Sequence, residues 1–265
     1  MSAAAFAETG WARFPADPAL AAWAKAAAPV AEALAADPAL HPRDLRCAGA
    51  WFAGVNVFPN GADGRAPGGP PLAGAAVDFA LASVGLTAVA WDRAQISVAY
   101  PGYPRHGVEE SAAAFRYRRD RDAAHVDGLL REGPERRRFL AETHLFILGI
   151  PLDDPADGAA PLVVWEGSHE IMRAAFRETL AGVDPADWPR IDVTEPYQAA
   201  RRRCFETCRR VALPARRGEA YVVHRLALHG VAPWAAPMDA APRAVAYFRP
   251  PPPATLPPDW TLAAP

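Results

Sequence analysis

The β-favouring stretches of this chain are short, and proline or glycine follows each of them closely. Leu86 to Tyr100, Leu145 to Leu152, Leu162 to Trp165, Glu219 to Leu228 and Arg243 to Phe248 are rich in Val, Ile, Leu, Thr and Tyr, residues that suit a pleated surface. Proline has no N–H to give a sheet ladder, so a chain punctuated this way cannot run long central strands. Only Ile171 to Gly182 and Tyr197 to Val211 read as helices among these runs. Many short strands with few helices predict a mainly β fold with flanking helices, a jelly roll or the related double-stranded β-helix.

The rest of the chain reads differently. Residues 1–45 are expected to be helical: Asp17-Pro18 is a cap followed by a first-turn proline, and Ala19 to Ala28 holds strong helix formers. Pro29 is expected to kink or end that helix, with Val30 to Ala36 as a continuation and Asp37-Pro38 as a second break. Asn60 to Leu72 carries Asn-Gly, Asp-Gly and Pro-Gly-Gly-Pro-Pro turn chemistry and reads as loop. Residues 251–265 read as an extended, proline-rich surface tail. The 265 residues are taken as one domain, with residues 86–250 as its β core.

Composition excludes several classes. With 51% hydrophobic residues, 22% charged residues and a net charge of −2, the chain is neither disordered nor a dedicated nucleic-acid binder. No stretch is expected to cross a membrane, and the N-terminus lacks the pattern of a signal peptide. Cys47, Cys204 and Cys208 are odd in number and suit a reducing compartment, so a cytoplasmic protein is expected. Of the 28 lysines and arginines only Lys25 is lysine, a bias that fits a GC-rich bacterial genome. A fixed cation in any site away from Lys25 must therefore be arginine.

The chemistry begins at His125-Val126-Asp127. Residues two apart on a strand share a face, so a histidine and a carboxylate can converge on one metal ion. Far downstream, Gly218 to Gly230 reads as a turn, an apolar strand and a histidine before glycine, a third ligand from a separate strand. Two histidines and one carboxylate with open positions opposite describe the facial triad of non-haem Fe(II) oxygenases. Arg243, Val245 and Tyr247 share one strand face, and a buried arginine there can grip a carboxylate with two hydrogen bonds.

Taken together these elements resemble the phytanoyl-CoA dioxygenase family of Fe(II)/2-oxoglutarate oxygenases, over roughly residues 90–250. The matching text is His125-x-Asp127, Ile150-Pro151-Leu152-Asp153-Asp154, Leu162 to Trp165 followed by Glu166-Gly167-Ser168-His169, then His229-Gly230 and Arg243. The resemblance implies a cupin-like double-stranded β-helix. It makes His125, Asp127 and His229 the iron ligands, Arg243 the anchor for the far carboxylate of 2-oxoglutarate, and Gln95 and Ser97 weaker co-substrate contacts. It implies O2 as oxidant, succinate and CO2 as co-products, and a small-molecule substrate. The chain departs from the family pattern at Glu166, where proline is frequent, and at Val231, where a polar residue is frequent. Asp127 favours hydroxylation over halogenation, since related halogenases carry a small residue there.

The remaining candidates are weighed against blander roles. His224 and His229 are five apart and would face opposite sides of a continuous strand, so His224 is expected to be packed or to support the site. His144 and His169 are expected to be structural, and His41 and His106 to lie in loops. Arg116, Arg118, Arg119 and Arg121, if on a strand, would aim alternate side chains inward; otherwise they and Arg136 to Arg138 form a charge-paired surface. Asn60 to Leu72 and Tyr103 to Ser111 are the expected pocket walls. Two other functions fit the same ligands: a non-catalytic jelly-roll metal- or ligand-binding protein, and a zinc hydrolase.

Overall fold

The computed structural model describes residues 2–264. In chain order it begins α1 (Ala3–Thr9), β1 (Trp11–Phe14), α2 (Pro18–Ala36), α3 (His41–Asp44), β2 (Leu45–Arg46) and β3 (Trp51–Gly54). Then come α4 (Ala75–Ala82), β4 (Gln95–Ala99), α5 (Ala112–Asp120), β5 (Leu129–Glu132), β6 (Arg137–Leu140) and β7 (Phe146–Pro151). The chain ends with β8 (Leu162–Trp165), α6 (Ser168–Thr179), α7 (Thr194–Thr207), β9 (Arg210–Leu213), β10 (Ala220–His224), β11 (His229–Val231) and β12 (Arg243–Phe248).

Seven strands form a major antiparallel sheet in the order β1-β10-β7-β12-β4-β3-β2, and β11-β8-β9 form a minor one. The two sheets face each other. Ile147, Tyr221, Val223, Val245 and Tyr247 from the major sheet meet Leu162, Val164 and Leu213 from the minor sheet in a shared core. The alternate residues Phe146, Leu148, Ile150, Val222 and Phe248 point the other way, onto Leu20, Trp23, Ala24 and Ala27 of α2. On the far side of the minor sheet, Val163 and Trp165 pack on Met172 and Phe176 of α6 and Tyr197 and Cys204 of α7. The result is four layers, helix on sheet on sheet on helix. It explains why Leu145 to Leu152 is apolar without alternation: both faces of β7 are buried. The expected mainly β jelly-roll architecture with flanking helices is the one observed.

Several local expectations are corrected. The first 45 residues contain β1, which adds an edge strand to the major sheet beside β10. Pro29 neither ends nor splits α2, which runs unbroken to Ala36. Pro29 and Lys25 are both exposed, so the carbonyl that proline leaves unbonded faces solvent while Ala24, Ala27 and Ala31 hold the opposite face on the core. By length and apolar composition α2 could cross a membrane, which the sequence reading did not anticipate. Strand structure within residues 86–100 is confined to Gln95–Ala99. Glu219 to Leu228 is likewise not one strand. β10 ends at His224 in the major sheet and β11 begins at His229 in the minor sheet, so the chain crosses the barrel between the two histidines. The tail is anchored rather than laid on the surface: Thr261 and Leu262 are buried, and the Arg225 guanidinium stacks 4.0 Å from the Trp260 ring centroid and donates to the Thr261 carbonyl.

One glycine is needed for the barrel interior. A Cβ on Gly149 would lie 2.1 Å from the Tyr221 ring, its direct partner across the β7–β10 ladder. Glycine here lets an aromatic side chain lie flat over the neighbouring strand.

Candidate metal centre

The site is assembled on the edge of the minor sheet. After α5 the chain turns through Asp122 and Ala123, both at positive φ (54° and 52°). Two contacts hold this turn. Arg210 donates to both carboxylate oxygens of Asp122, at 2.7 and 2.8 Å, and the Val231 N–H donates to the Asp122 carbonyl at 3.0 Å. The chain then runs beside β11. The His125 N–H donates to the His229 carbonyl at 2.8 Å, and the His229 N–H donates to the His125 carbonyl at 3.0 Å. Residues that exchange both bonds in an antiparallel pair project side chains to the same face. The two imidazoles accordingly lie side by side, with ring centroids 4.6 Å apart. His125 sits in an isolated bridge rather than the expected strand, yet Asp127 still returns to the same side.

Gly230 is required by this geometry. A Cβ there would meet the Asp122 carbonyl oxygen at 2.2 Å, so only glycine lets the His125 segment approach β11. The glycine after His229 thus serves the backbone pairing that brings the two histidines together.

One ligand atom each from His125, Asp127 and His229 lies within 4.8 Å of the others. His125 Nε2 is 3.1 Å from one oxygen of Asp127, and His229 Nε2 is 3.6 Å from the other. Both Nδ1 atoms are occupied elsewhere, His125 with the Ala123 carbonyl and His229 with the Ala227 carbonyl, each at 3.0 Å. Backbone acceptors at Nδ1 fix the tautomer and leave Nε2 free as a ligand. Burial alone would raise the Asp127 pKa; the Arg249 guanidinium and the two histidines hold it well below the usual carboxylate range. It is therefore ionised, as a metal ligand must be.

The triad opens into a cavity of roughly 530 Å³. Gln95 and Ser97 line it, as expected. Gln95 accepts from Arg249 Nη1 at 2.8 Å, and Ser97 Oγ accepts from Trp51 Nε1 at 3.0 Å. Asn60 to Leu72 and Tyr103 to Ser111 do not line it; the walls come instead from Arg46 to Asn56, Glu142 to His144 and Arg249 to Pro251. Leu72 and Ala66 are buried in the outer core beside Trp91, and Tyr103 packs on Trp51, which explains why those loops are unavailable.

Arg243 stands where the strand pattern puts it, on the face of β12 that carries Val245 and Tyr247, and it is buried. It does not line the triad cavity. It faces a second cavity of about 230 Å³ together with Tyr221 and Val245. Its Nε and Nη2 atoms have no hydrogen-bond partner. Arg249, two positions beyond Tyr247 on the same face, lines the triad cavity and pairs directly with Asp127. Arg249 was not among the expected site residues because Pro250 closes the strand pattern; the two-residue period extended one step further reaches it. Asp92, also missed, accepts from the Arg249 N–H at 2.9 Å.

The other histidines and arginines are accounted for. His224 is buried with its ring 4.7 Å from that of His169, and its Nδ1 accepts from the Leu226 N–H at 3.1 Å. His169 contacts the Ala7 carbonyl, and His144 lines the triad cavity without being close enough to join the triad. Arg116 to Arg119 lie on helix α5, so the alternation proposed for a strand does not arise; Arg118 pairs with Glu110 and Arg119 with Asp120. Glu166 accepts from Trp11 and Arg209, tying the end of β8 to β1.

No protein-family model matches the chain, and no curated protein matches it in sequence. Solved structures do match. AviO1 from Streptomyces viridochromogenes Tue57 aligns with a TM-score of 0.50 at 17% identity, covering 96% of this chain and 95% of that one. EctD from S. alaskensis, crystallised with 2-oxoglutarate and 5-hydroxyectoine, gives 0.47 at 16% identity over 94% of this chain and 74% of that one. The non-haem α-ketoglutarate-dependent carbocyclase SnoK from nogalamycin biosynthesis gives 0.45 at 13% identity over 94% and 82%. At these identities the likeness is one of fold.

Proposed function

We propose that this chain is an Fe(II)- and 2-oxoglutarate-dependent oxygenase that oxidises a small molecule. The convergence of His125, Asp127 and His229, with both Nδ1 atoms turned away, is the observation that carries the reading. Two imidazoles and one carboxylate on one side of a cavity leave the remaining positions free for co-substrate and oxygen. The co-substrate fits a second feature. Arg243 is buried and two of its guanidinium nitrogens lack a partner, a costly state that a carboxylate would relieve. A purely metal-binding jelly roll or a zinc hydrolase has no use for that cation.

When bound, iron and 2-oxoglutarate supply the activation of O2, with the co-substrate converted to succinate and CO2 as the substrate is oxidised. The chain supplies the rest. Ala123 and Ala227 carbonyls fix the orientation of the two histidines. Arg249 holds one oxygen of Asp127. Trp51, Ile147, Leu162 and Tyr247 give the cavity walls that limit water. Asp127 fills the position a halide would need, so oxidation of a C–H bond is the favoured outcome.

The test is turnover of 2-oxoglutarate under air with Fe(II), followed as succinate, in the wild type and in Asp127→Ala. Succinate formation that Asp127→Ala abolishes is expected. Hydrolytic activity without O2 and without response to 2-oxoglutarate would instead establish the zinc hydrolase.

A further inference from the structure

The β5–β6 hairpin carries an arrangement that the oxygenase reading does not use. Arg131 and Arg138 stand directly opposite each other in its register. Like charges facing across an antiparallel pair destabilise it. A third guanidinium joins them from α7. Arg201 lies 5.3 Å from the centroid of the Tyr197 ring, and so does Arg138 on the same ring. Among the described residues none of the three forms an ion pair. Of the nearby acids, Glu135 and Asp192 are both engaged by Arg137, and Glu132 stands opposite Arg137 in the register, on the alternate position from Arg131. Partial burial and the neighbouring guanidinium groups push Arg131 and Arg138 below the ordinary arginine value.

A separate observation points the same way. Tyr197 is buried, with a relative exposure of 1%, and its hydroxyl has no partner. A buried hydroxyl without a partner is a donor in waiting. Three guanidinium groups that form no ion pair lie around one hydroxyl that has no partner. Their forks match the oxygens of a phosphate dianion better than a carboxylate, which satisfies one fork alone.

We propose that Arg131, Arg138 and Arg201, with the Tyr197 hydroxyl, bind the phosphate group of a small soluble ligand. The four residues lie outside the triad cavity, on the outer side of the minor sheet, and meet it only at the base of the hairpin. Gly128 and Glu142, at the base of the hairpin, line the triad cavity.

The experiment is titration of inorganic phosphate and of pyrophosphate into the metal-free full chain at fixed ionic strength, with chloride as the balancing anion. Saturable binding is expected, weakened about tenfold in Arg138→Gln and in Arg131→Gln, as for loss of one charge-assisted contact. Binding in Asp127→Ala is expected to equal that of the wild type, which separates this site from the triad. Without phosphate, Arg131→Gln, on an exposed strand, is expected to melt at or above the wild-type temperature because a like-charge pair is relieved. Four results would overturn the proposal: phosphate acting no differently from chloride, unweakened binding in both arginine variants, a lower melting temperature for Arg131→Gln, or binding only to phosphatidic-acid vesicles and to neither soluble probe.

Discussion

The hydroxyls of Tyr221 and Tyr247 meet at 2.9 Å inside the barrel, one lining the cavity that Arg243 faces and the other the cavity of the triad. This pair stands between the proposed metal ligands and the cation proposed to hold the far end of 2-oxoglutarate. The distal carboxylate must therefore displace or join the tyrosine pair to reach Arg243. Arg243→Ala is expected to weaken 2-oxoglutarate binding by about 3 kcal/mol, roughly a hundredfold, while metal affinity stays unchanged. Arg243→Lys is expected to recover little, because an ammonium lacks the two-pronged fork. Equilibrium titration of each variant, with metal and co-substrate measured separately, checks both statements.

Arg249 is expected to act on the metal rather than on the co-substrate tail. Its guanidinium sits on the Asp127 carboxylate and opposes an incoming divalent cation. Arg249→Met should tighten Co(II) binding near neutral pH, by about tenfold for one competing charge contact removed. In mildly acidic solution the advantage should shrink, since Asp127 loses the cation that holds its pKa low. Unchanged Co(II) affinity at both pH values would show that Arg249 has no hold on the ligand.

Gly230 and Arg210 support the triad without touching the metal. Gly230→Ala forces a Cβ into the Asp122 carbonyl and should cost about 3 kcal/mol of stability through backbone displacement. Arg210→Ala leaves the Asp122 carboxylate, 5% exposed, without its partner and should cost about 2 kcal/mol, less than a fully buried pair because Arg210 is half exposed. Both variants should also weaken metal binding, since both release the turn that leads into His125. Urea unfolding together with Co(II) titration measures the two effects.

Much of this was readable from residue order, and the failures have physical causes. The shared side of His125 and Asp127 and the shared face of Arg243, Val245 and Tyr247 follow the two-residue period, whereas His229 was singled out as the third candidate by the family resemblance, since spacing alone left His224 open. β8 and β12 were placed to the residue because turn chemistry bounds them. Pro29 misled because its cost depends on which face of α2 it occupies, a tertiary fact. The pocket walls misled for the same reason: proline- and glycine-rich loops read as open, whereas Leu72 and Ala66 are drawn into the core. That Arg243 and the triad open on different cavities depends on Tyr221 lying across Gly149, a contact between strands distant in sequence.

Acid should destabilise the fold in a defined window. Burial pushes the pKa of His144 down to about 4, and those of His169 and His224 down as well, from an ordinary value of 6.5. The folded state keeps these rings neutral while the unfolded chain takes up protons below about pH 6.5. Their stabilising contribution is thus full above that pH and lost as pH falls toward 4, about 3 kcal/mol for His144. Asp92 and Asp153, raised to about 6 by burial, act in the opposite sense: the folded state retains their protons, so their contribution is lost as pH rises through 6. His224, held well below the ordinary value by burial, acts in the same sense as His144, and together they set the direction of the acid limb. The urea midpoint should fall steadily from about pH 6.5 to about pH 4.5, and a flat or rising midpoint would contradict the assignment of neutral buried histidines.

The most direct measurement is anaerobic titration of the Fe(II)-loaded protein with 2-oxoglutarate, followed in the visible spectrum. A weak charge-transfer band is expected to grow to saturation at one equivalent per chain in the wild type. It should be absent in Asp127→Ala and need far more 2-oxoglutarate in Arg243→Ala. No band in the wild type, or a band unaffected by either substitution, would contradict the assignment of His125, Asp127, His229 and Arg243 to a common oxygenase site.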